Sequence, residues 1–163
     1  MKNRPKVASG SPTRATVLPI AAAATIRGRS RTERLSSAPI ALYGITKKVS
    51  MIREVTPKHI PVTTDSNCGW TLREAKHCLR ELADVKLLLA EQPIPPGDPA
   101  ALAELRNSTP TPIMADESVF TLQDAWLLTT HRAADILSVY PGKHGGIAGT
   151  AEIVAVAKAA GLR

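Results

Sequence analysis

The chain has 163 residues, of which 44% are hydrophobic, and a formal net charge of +7. Its length suffices for one hydrophobic core but excludes a complete eight-stranded β/α barrel, which needs about 250 residues. Two cysteines are too few for a disulfide framework, and no run approaches the roughly 18 apolar residues of a membrane span. We therefore expect a globular, cytoplasmic protein with reduced thiols.

Residues 1–40 carry the excess positive charge. They hold eight Lys or Arg and the single acid Glu33, whereas the 13 basic and 13 acidic residues of the remainder cancel. The segment has no aromatic residue and no sustained apolar period, so we predict that it is disordered. A secretion signal around residues 17–25, a transit peptide or a basic nucleic-acid arm are alternatives for it. The neutral remainder, residues 41–163, gives no reason to expect a nucleic-acid or membrane partner.

From residue 60 onward the sequence repeats a unit in which a short apolar run ends in a polar residue and is followed by an amphipathic helix. The predicted strands cover residues 60–65, 85–91, 112–116 and 135–140, and the predicted helices follow at residues 72–83, from 98, at 121–131 and at 151–160. Thr71 with Glu74, and Thr121 with Asp124, have the spacing of capping boxes. The regular alternation predicts an α/β fold with a parallel sheet, either part of a (β/α)8 barrel or a doubly wound sheet.

Three of the predicted strands end in a carboxylate: Asp65, Glu91 and Asp116. Because the carboxyl ends of parallel strands lie on the same rim, we expect these side chains to converge. Two carboxylates about 4 Å apart repel by roughly 4 kcal/mol at an effective dielectric constant of about 20, so three together need a cation or a proton. Oxygen ligands without Cys or His favour a hard ion, Mg²⁺ first, with Mn²⁺ or Ca²⁺ as alternatives. Any one of the three acids alone is better explained as a solvated residue at a strand end.

Four short motifs surround these acids and follow the last predicted strand. They are Asp65-Ser66-Asn67 with Gly69-Trp70, then Glu91-Gln92-Pro93, then Ala115-Asp116-Glu117-Ser118, and then Lys143-His144-Gly145-Gly146. In this order and spacing they resemble the enolase superfamily, and most of all its muconate-cycloisomerase and mandelate-racemase branch. The resemblance covers residues 60–162.

The resemblance implies a partial TIM-type (β/α)8 barrel of about four to five β/α units, and a lyase or isomerase that acts on a small carboxylate substrate. It implies that the three strand-end acids bind Mg²⁺, which stabilises the enediolate formed when a base removes the α-proton. Racemisation, dehydration or cycloisomerisation then follows in different members. Asn67 and Gln92 would lie at the wall of the site or behind the metal ligands, and Glu117 would pair with a lysine there or cap the next segment.

The resemblance also indicates where the base should stand, which in this branch is a Lys-x-Lys motif on the second strand or a lysine that ends the sixth. Lys48 is the candidate for the first place, although only residues 49–59 separate it from the next strand and a crossover needs at least about 10 to 12 residues. For the second place the candidates are Tyr140, which stands where the lysine is expected, and Lys143 in the glycine-rich turn. The alternative for Lys143 is a solvated turn lysine.

Some parts of the family's structure are not represented in this sequence. The family's capping domain and last two strands have no counterpart in the sequence, so a non-catalytic truncated remnant is the alternative to a working enzyme. A sheet with two open edges would invite self-association. We also expect all four histidines to be surface residues, and Trp70 and Trp126 to be packing residues.

Overall fold

The structure is a computed structural model that describes residues 38–162 of the chain. Helices and strands alternate along this part: α1 (Ala38–Val55), β1 (Thr64–Asp65), α2 (Leu72–Glu81), β2 (Ala90–Glu91), α3 (Pro99–Asn107), β3 (Ile113–Ala115), α4 (Leu122–Thr130), β4 (Ile136–Leu137) and α5 (Ile147–Ala159). A short 3-10 helix, Ala83–Val85, lies between α2 and β2. The predicted disordered segment, residues 1–40, lies outside the described residues except for its last three, which begin α1. None of the described helices is long and apolar enough to cross a membrane.

The strands of the described part form one parallel sheet in the order β1-β2-β3-β4. Each connection between neighbouring strands contains one of the helices α2, α3 and α4, which confirms the predicted β/α alternation. Within residues 38–162, β1 and β4 each have a neighbouring strand on one side only. The sheet described here is therefore open at both edges.

The two faces of the sheet differ in burial. On the face that packs against the helices, Ala90, Ile113 and Ala115 have no exposed surface. Residues on the opposite face are half-buried, and they are Asp65, Glu91, Met114 and Ile136. Side chains alternate between the faces along a strand, so the acids that end β1 and β2 lie on the more open face.

Helices α2, α3 and α4 begin where local sequence signals place them, whereas α5 begins at Ile147, ahead of the predicted start at residue 151, and has no side-chain cap. Thr71 and Glu74 form a complete capping box at the start of α2, and Thr121 and Asp124 form another at the start of α4, as predicted. Asp98 caps α3 by accepting a hydrogen bond from a backbone amide in its first turn. These caps fix where the loops that follow β1, β2 and β3 end.

The strands are shorter than predicted. Of the predicted strand over residues 85–91, only the last two residues pair as β2. Val85 ends the 3-10 helix, and Lys86 has a left-handed backbone with a φ of 53°. The amide of Leu88 still donates to the carbonyl oxygen of Val62 at 2.9 Å, so the first two extended segments are already hydrogen-bonded before β2 begins.

The prediction that Lys48 marks the end of a strand is wrong. Lys48 lies within α1, and its side chain is exposed. Val49 is buried, while Ile45 and Ile52 on the same side of the helix are half-buried. This spacing of three to four residues is typical of a helix that packs on a core. The apolar spacing, and not the resemblance to a lysine motif, therefore determines the local structure. Helix α1 contacts α2 and the 3-10 helix.

Candidate metal centre

The three predicted metal ligands lie on neighbouring strands at the carboxyl edge of the sheet. Asp65 at the end of β1 pairs in register with Glu91 at the end of β2. Glu91 pairs in turn with Met114 of β3, and Asp116 follows Met114 by two residues. Residues two apart on extended chain leave the backbone on the same face. The parallel register therefore brings the three carboxylates to one face and one edge of the sheet.

The charges of these acids act on one another. Burial raises the pKa of Glu91 to about 7, and the negative charges of Asp65, Asp116 and Glu117 add to the rise. The positive charge of Lys143 opposes it. Burial and the neighbouring negative charges both disfavour the charged form of this carboxyl group, and a nearby cation would stabilise that form.

The donor chemistry fits a hard divalent ion, but the side chains are not yet gathered around one point. Within residues 38–162, no group of three or more acidic, His or Cys side chains could hold a metal ion as it stands. Two of the carboxylates have other partners. Asp65 accepts a hydrogen bond from the backbone amide of Asn67 at 3.0 Å, and Asp116 is bonded to Lys143. Because the strands already align the three backbones, joint ligation requires rotation of these side chains.

Gln92 ties the loop after β2 to the loop that carries Asp116. Its side chain has no exposed surface. Its Oε1 accepts hydrogen bonds from the backbone amides of Asp116 and Ser118 at 2.9 and 3.1 Å. Its Nε2 donates to the carbonyl oxygen of Ile94 and to the hydroxyl of Ser118, both at 2.8 Å. Gln92 thus lies directly behind one of the three carboxylates and fixes the backbone that carries it.

The loop after β1 bends sharply beside the same acids. Asn67 and Cys68 both have positive φ angles, 45° and 60°, and the amide of Cys68 donates to the carbonyl oxygen of Gln92 at 2.9 Å. Burial raises the pKa of the Cys68 thiol to about 12, assisted by the charge of Glu117 and a hydrogen bond to its carboxylate. Sequence reasoning missed this thiol as part of the site, although its place directly after the Asp65-Ser66-Asn67 motif was the available signal.

Lys143 is enclosed at this edge of the sheet, which excludes the alternative of a solvated turn lysine. Its side chain is 3% exposed, and its ammonium group donates to the carboxylate of Asp116 and, at 3.1 Å, to the backbone carbonyl oxygen of the same residue. The centres of the Tyr140 and Phe120 rings lie 5.1 and 5.7 Å from Nζ. Two base candidates, Lys143 and Tyr140, are therefore neighbours, and Lys143 contacts the carboxylate of Asp116, whereas Lys48 lies on α1.

In sequence and in fold, the chain is similar to a known protein family, to curated relatives and to solved structures. Residues 44–163 match the family described as Enolase C-terminal domain-like. The chain belongs to this family, within the enolase superfamily. The match includes every strand of the described sheet and all four motifs on which the resemblance was based.

Curated relatives of this enolase-superfamily chain are isomerases. The L-Ala-D/L-Glu epimerase of Bacillus subtilis is 38% identical over 117 residues, which are 71% of this chain and 32% of the epimerase. Muconate cycloisomerase 1-2 of Acinetobacter lwoffii is 34% identical over 134 residues, which are 82% of this chain and 35% of that enzyme. The chain spans about a third of the length of these relatives.

Solved structures of the superfamily agree with the fold. A substrate-liganded L-Ala-D/L-Glu epimerase from Bacillus subtilis superposes with a TM-score of 0.72 at 35% identity, covering 75% of this chain and 34% of the epimerase. A dipeptide epimerase from Cytophaga hutchinsonii, complexed with Mg and D-Ala-L-Val, gives a TM-score of 0.72 at 29% identity and covers 74% and 33%. These neighbours are barrels, and the sheet described here corresponds to part of one, as predicted.

Two predictions about single side chains are wrong in this superfamily member. His144 is buried rather than superficial: its Nδ1 lies 3.0 Å from the carbonyl oxygen of Phe120. Trp126 is 61% exposed on α4, whereas Trp70 is buried as predicted. The contact that buries His144 joins residues 24 positions apart, so no local pattern could have indicated it.

Proposed function

We propose that this chain forms the magnesium-binding part of a lyase or isomerase that removes a proton from the carbon next to a substrate carboxylate. The observation that carries the proposal is the strand register, which aligns Asp65 with Glu91 and brings Asp116 to the same face. One acid at a strand end is common on protein surfaces. Three acids on neighbouring strands form the donor set of a hard ion, and burial together with the charges of the neighbouring acids raises the pKa of Glu91.

Asp65, Glu91 and Asp116 would hold Mg²⁺, with Mn²⁺ as the alternative ion. The ion would supply positive charge against the carboxylate of a small substrate and against the negative charge that develops as the α-proton leaves. Gln92 supports this role because it binds the backbone amide of Asp116. Asn67 supports it on the other side, because its amide orients the carboxylate of Asp65.

Lys143 is the proposed proton acceptor. Among the three base candidates it is the one whose nitrogen contacts a ligand carboxylate. Tyr140 is proposed to line the path by which substrate reaches that nitrogen, because its ring faces Lys143 and its side chain is 52% exposed. Lys48 is left without a role because it lies exposed on α1.

The test is the exchange of the substrate α-proton for deuterium, followed by proton NMR in D₂O with Mg²⁺ present. Two test compounds follow from the relatives: L-Ala-L-Glu, after the L-Ala-D/L-Glu epimerase, and muconolactone, with which a muconate lactonizing enzyme from Pseudomonas fluorescens is complexed. We expect exchange with one of them that requires Mg²⁺ and falls at least about 100-fold in Lys143→Met. Lys158→Met, at an exposed lysine of α5, is the matched control and should exchange as fast as the unchanged protein.

The outcomes separate the parts of the proposal. A folded chain that binds Mg²⁺ but exchanges neither substrate would contradict the catalytic role and favour the alternative, a protein without activity of its own. Exchange at an undiminished rate in Lys143→Met would exclude Lys143 as the acceptor and direct the search to Tyr140.

A further inference from the structure

The ammonium group of Lys143 is enclosed and held by several contacts. Its side chain is 3% exposed, although it belongs to a glycine-rich turn. The ammonium group donates to both the carboxylate and the backbone carbonyl oxygen of Asp116. The rings of Tyr140 and Phe120 lie 5.1 and 5.7 Å from it, at distances where an aromatic face attracts a cation.

The carboxylate that Lys143 holds is one that a divalent ion would need. An ammonium group and a divalent cation at the same carboxylate repel each other, so the two compete for Asp116. Of the three acids, all within residues 38–162, Asp116 is the one that forms an ion pair with a lysine.

The surroundings of Lys143 also provide a place for the ammonium group once the carboxylate has turned away. The backbone carbonyl oxygen of Asp116 is 3.1 Å from Nζ and belongs to the loop that Gln92 fixes. This oxygen and the two ring faces do not depend on the orientation of the Asp116 side chain. Lys143 can therefore release the carboxylate without leaving the edge of the sheet.

We infer that Lys143 is an internal cation that occupies the carboxylate of Asp116 in the metal-free protein and yields it when a divalent ion binds. The inference rests on the proposed magnesium site and adds a coupling to it. When the ion binds, it replaces the Lys143 ammonium group at the carboxylate of Asp116. The amino group of Lys143 therefore becomes available at the site only when the ion is present. Metal affinity is lowered by the cost of displacing Lys143.

The first experiment measures Mg²⁺ affinity by isothermal titration calorimetry on the full chain. Lys143→Met should bind Mg²⁺ about 10-fold more tightly than the unchanged protein, because the competing cation is gone. Lys158→Met removes an exposed lysine from α5 and should not alter the affinity. Asp116→Asn should bind at least about 10-fold more weakly, because it removes a ligand charge.

The second experiment uses the unchanged protein, so it does not require that a variant folds. The unchanged protein is treated briefly with an amine-acylating reagent, with and without Mg²⁺, and labelling of each lysine is quantified by mass spectrometry. Mg²⁺ should raise the labelling of Lys143 several-fold relative to Lys158, which is exposed in either case.

The results distinguish this inference from the proposed function beneath it. If the unchanged protein binds Mg²⁺, but Lys143→Met binds it no more tightly and Mg²⁺ leaves the labelling of Lys143 unaltered, the coupling is refuted and the metal site stands. If neither the unchanged protein nor Lys143→Met binds Mg²⁺, the coupling and the proposed function are both refuted. Tighter binding by Lys143→Met together with Mg²⁺-dependent labelling supports both.

Discussion

Glu91 is an acid of the candidate metal centre whose pKa is raised. Its folded-state pKa is raised to about 7 from an ordinary value of 4.5, first by burial and then by Asp65, Asp116 and Glu117. The folded protein therefore holds this proton more tightly than the unfolded chain does. The stability gained is complete below pH 4.5 and is lost as the pH rises through about 7, so without a divalent ion the charged Glu91 destabilises the fold in alkaline solution.

Glu91→Gln should consequently raise the free energy of unfolding at pH 8 in the absence of Mg²⁺, by about 1 kcal/mol once solvent screening is allowed for. At pH 4.5 the variant and the unchanged protein should be equally stable, because both side chains are then uncharged in the fold. Thermal melts at the two pH values measure the difference. Glu152→Gln, at an exposed position of α5, is the control and should show no such pH dependence. A destabilised Glu91→Gln at pH 8 would argue against an unfavourable buried charge at this position.

The buried side chain of Gln92 can be tested in the same way, by a single substitution. Replacement by Leu keeps the volume close but leaves the amides of Asp116 and Ser118 without their acceptor in a buried place. We expect a loss of about 2 to 3 kcal/mol in the free energy of unfolding. Urea denaturation measures it, with Gln123→Leu on the exposed face of α4 as the matched control. A loss below 0.5 kcal/mol, about the size of an ordinary surface change, would mean that Gln92 does not hold the loop.

At the scale of the elements, the capping box of α4 fixes the loop that follows Asp116. The hydroxyl of Thr121 accepts from the amide of Asp124, and the carboxylate of Asp124 accepts from the amides of Thr121 and Phe120. Burial alone would raise the pKa of Asp124, but these backbone hydrogen bonds outweigh it and hold that pKa below its ordinary value. The cap therefore anchors the chain from residue 120 to the helix.

Thr121→Ala should lower the free energy of unfolding by about 1 kcal/mol, because one amide of the first turn loses its acceptor. Thr130→Ala, an exposed threonine at the other end of α4, should change it by less than about 0.5 kcal/mol. Thermal melts of the two variants give the comparison. Equal effects at both threonines would show that the box contributes nothing specific.

For the whole molecule, the open sheet of residues 38–162 presents two unpaired edges, at β1 and at β4. Unpaired strand edges favour association between chains. We expect sedimentation velocity to show concentration-dependent association, weakened by Ile136→Lys, which places a charge on the half-buried face of β4. Ala155→Lys on the exposed side of α5 is the control. A single monomeric species at every concentration would contradict this expectation.

The sequence predicts those features of the molecule that local patterns encode. Strand-end acids at a steady spacing indicated the candidate metal centre, and the capping residues Thr71 and Thr121 fixed two helix starts. Features that depend on residues far apart in the sequence could not be predicted from local patterns. The burial of Lys143 depends on Asp116, which is 27 positions away in the sequence. Lys48 lies in a helix because the helical spacing of its apolar neighbours determines the local structure, although the resemblance to a lysine motif suggested a strand. The exposure of Trp126 depends on which face of α4 meets the core.

We propose that Asp65, Glu91 and Asp116 jointly bind Mg²⁺, and the melting temperature with and without the ion tests this most directly. A ligand at 100 times its dissociation constant stabilises a fold by about 2.7 kcal/mol, a shift of several degrees. We predict such a shift in the unchanged protein and in Asp84→Asn, an exposed control, and its loss in Asp116→Asn. Identical melting of the unchanged protein with and without saturating Mg²⁺, or an equal shift in Asp116→Asn, would contradict the account.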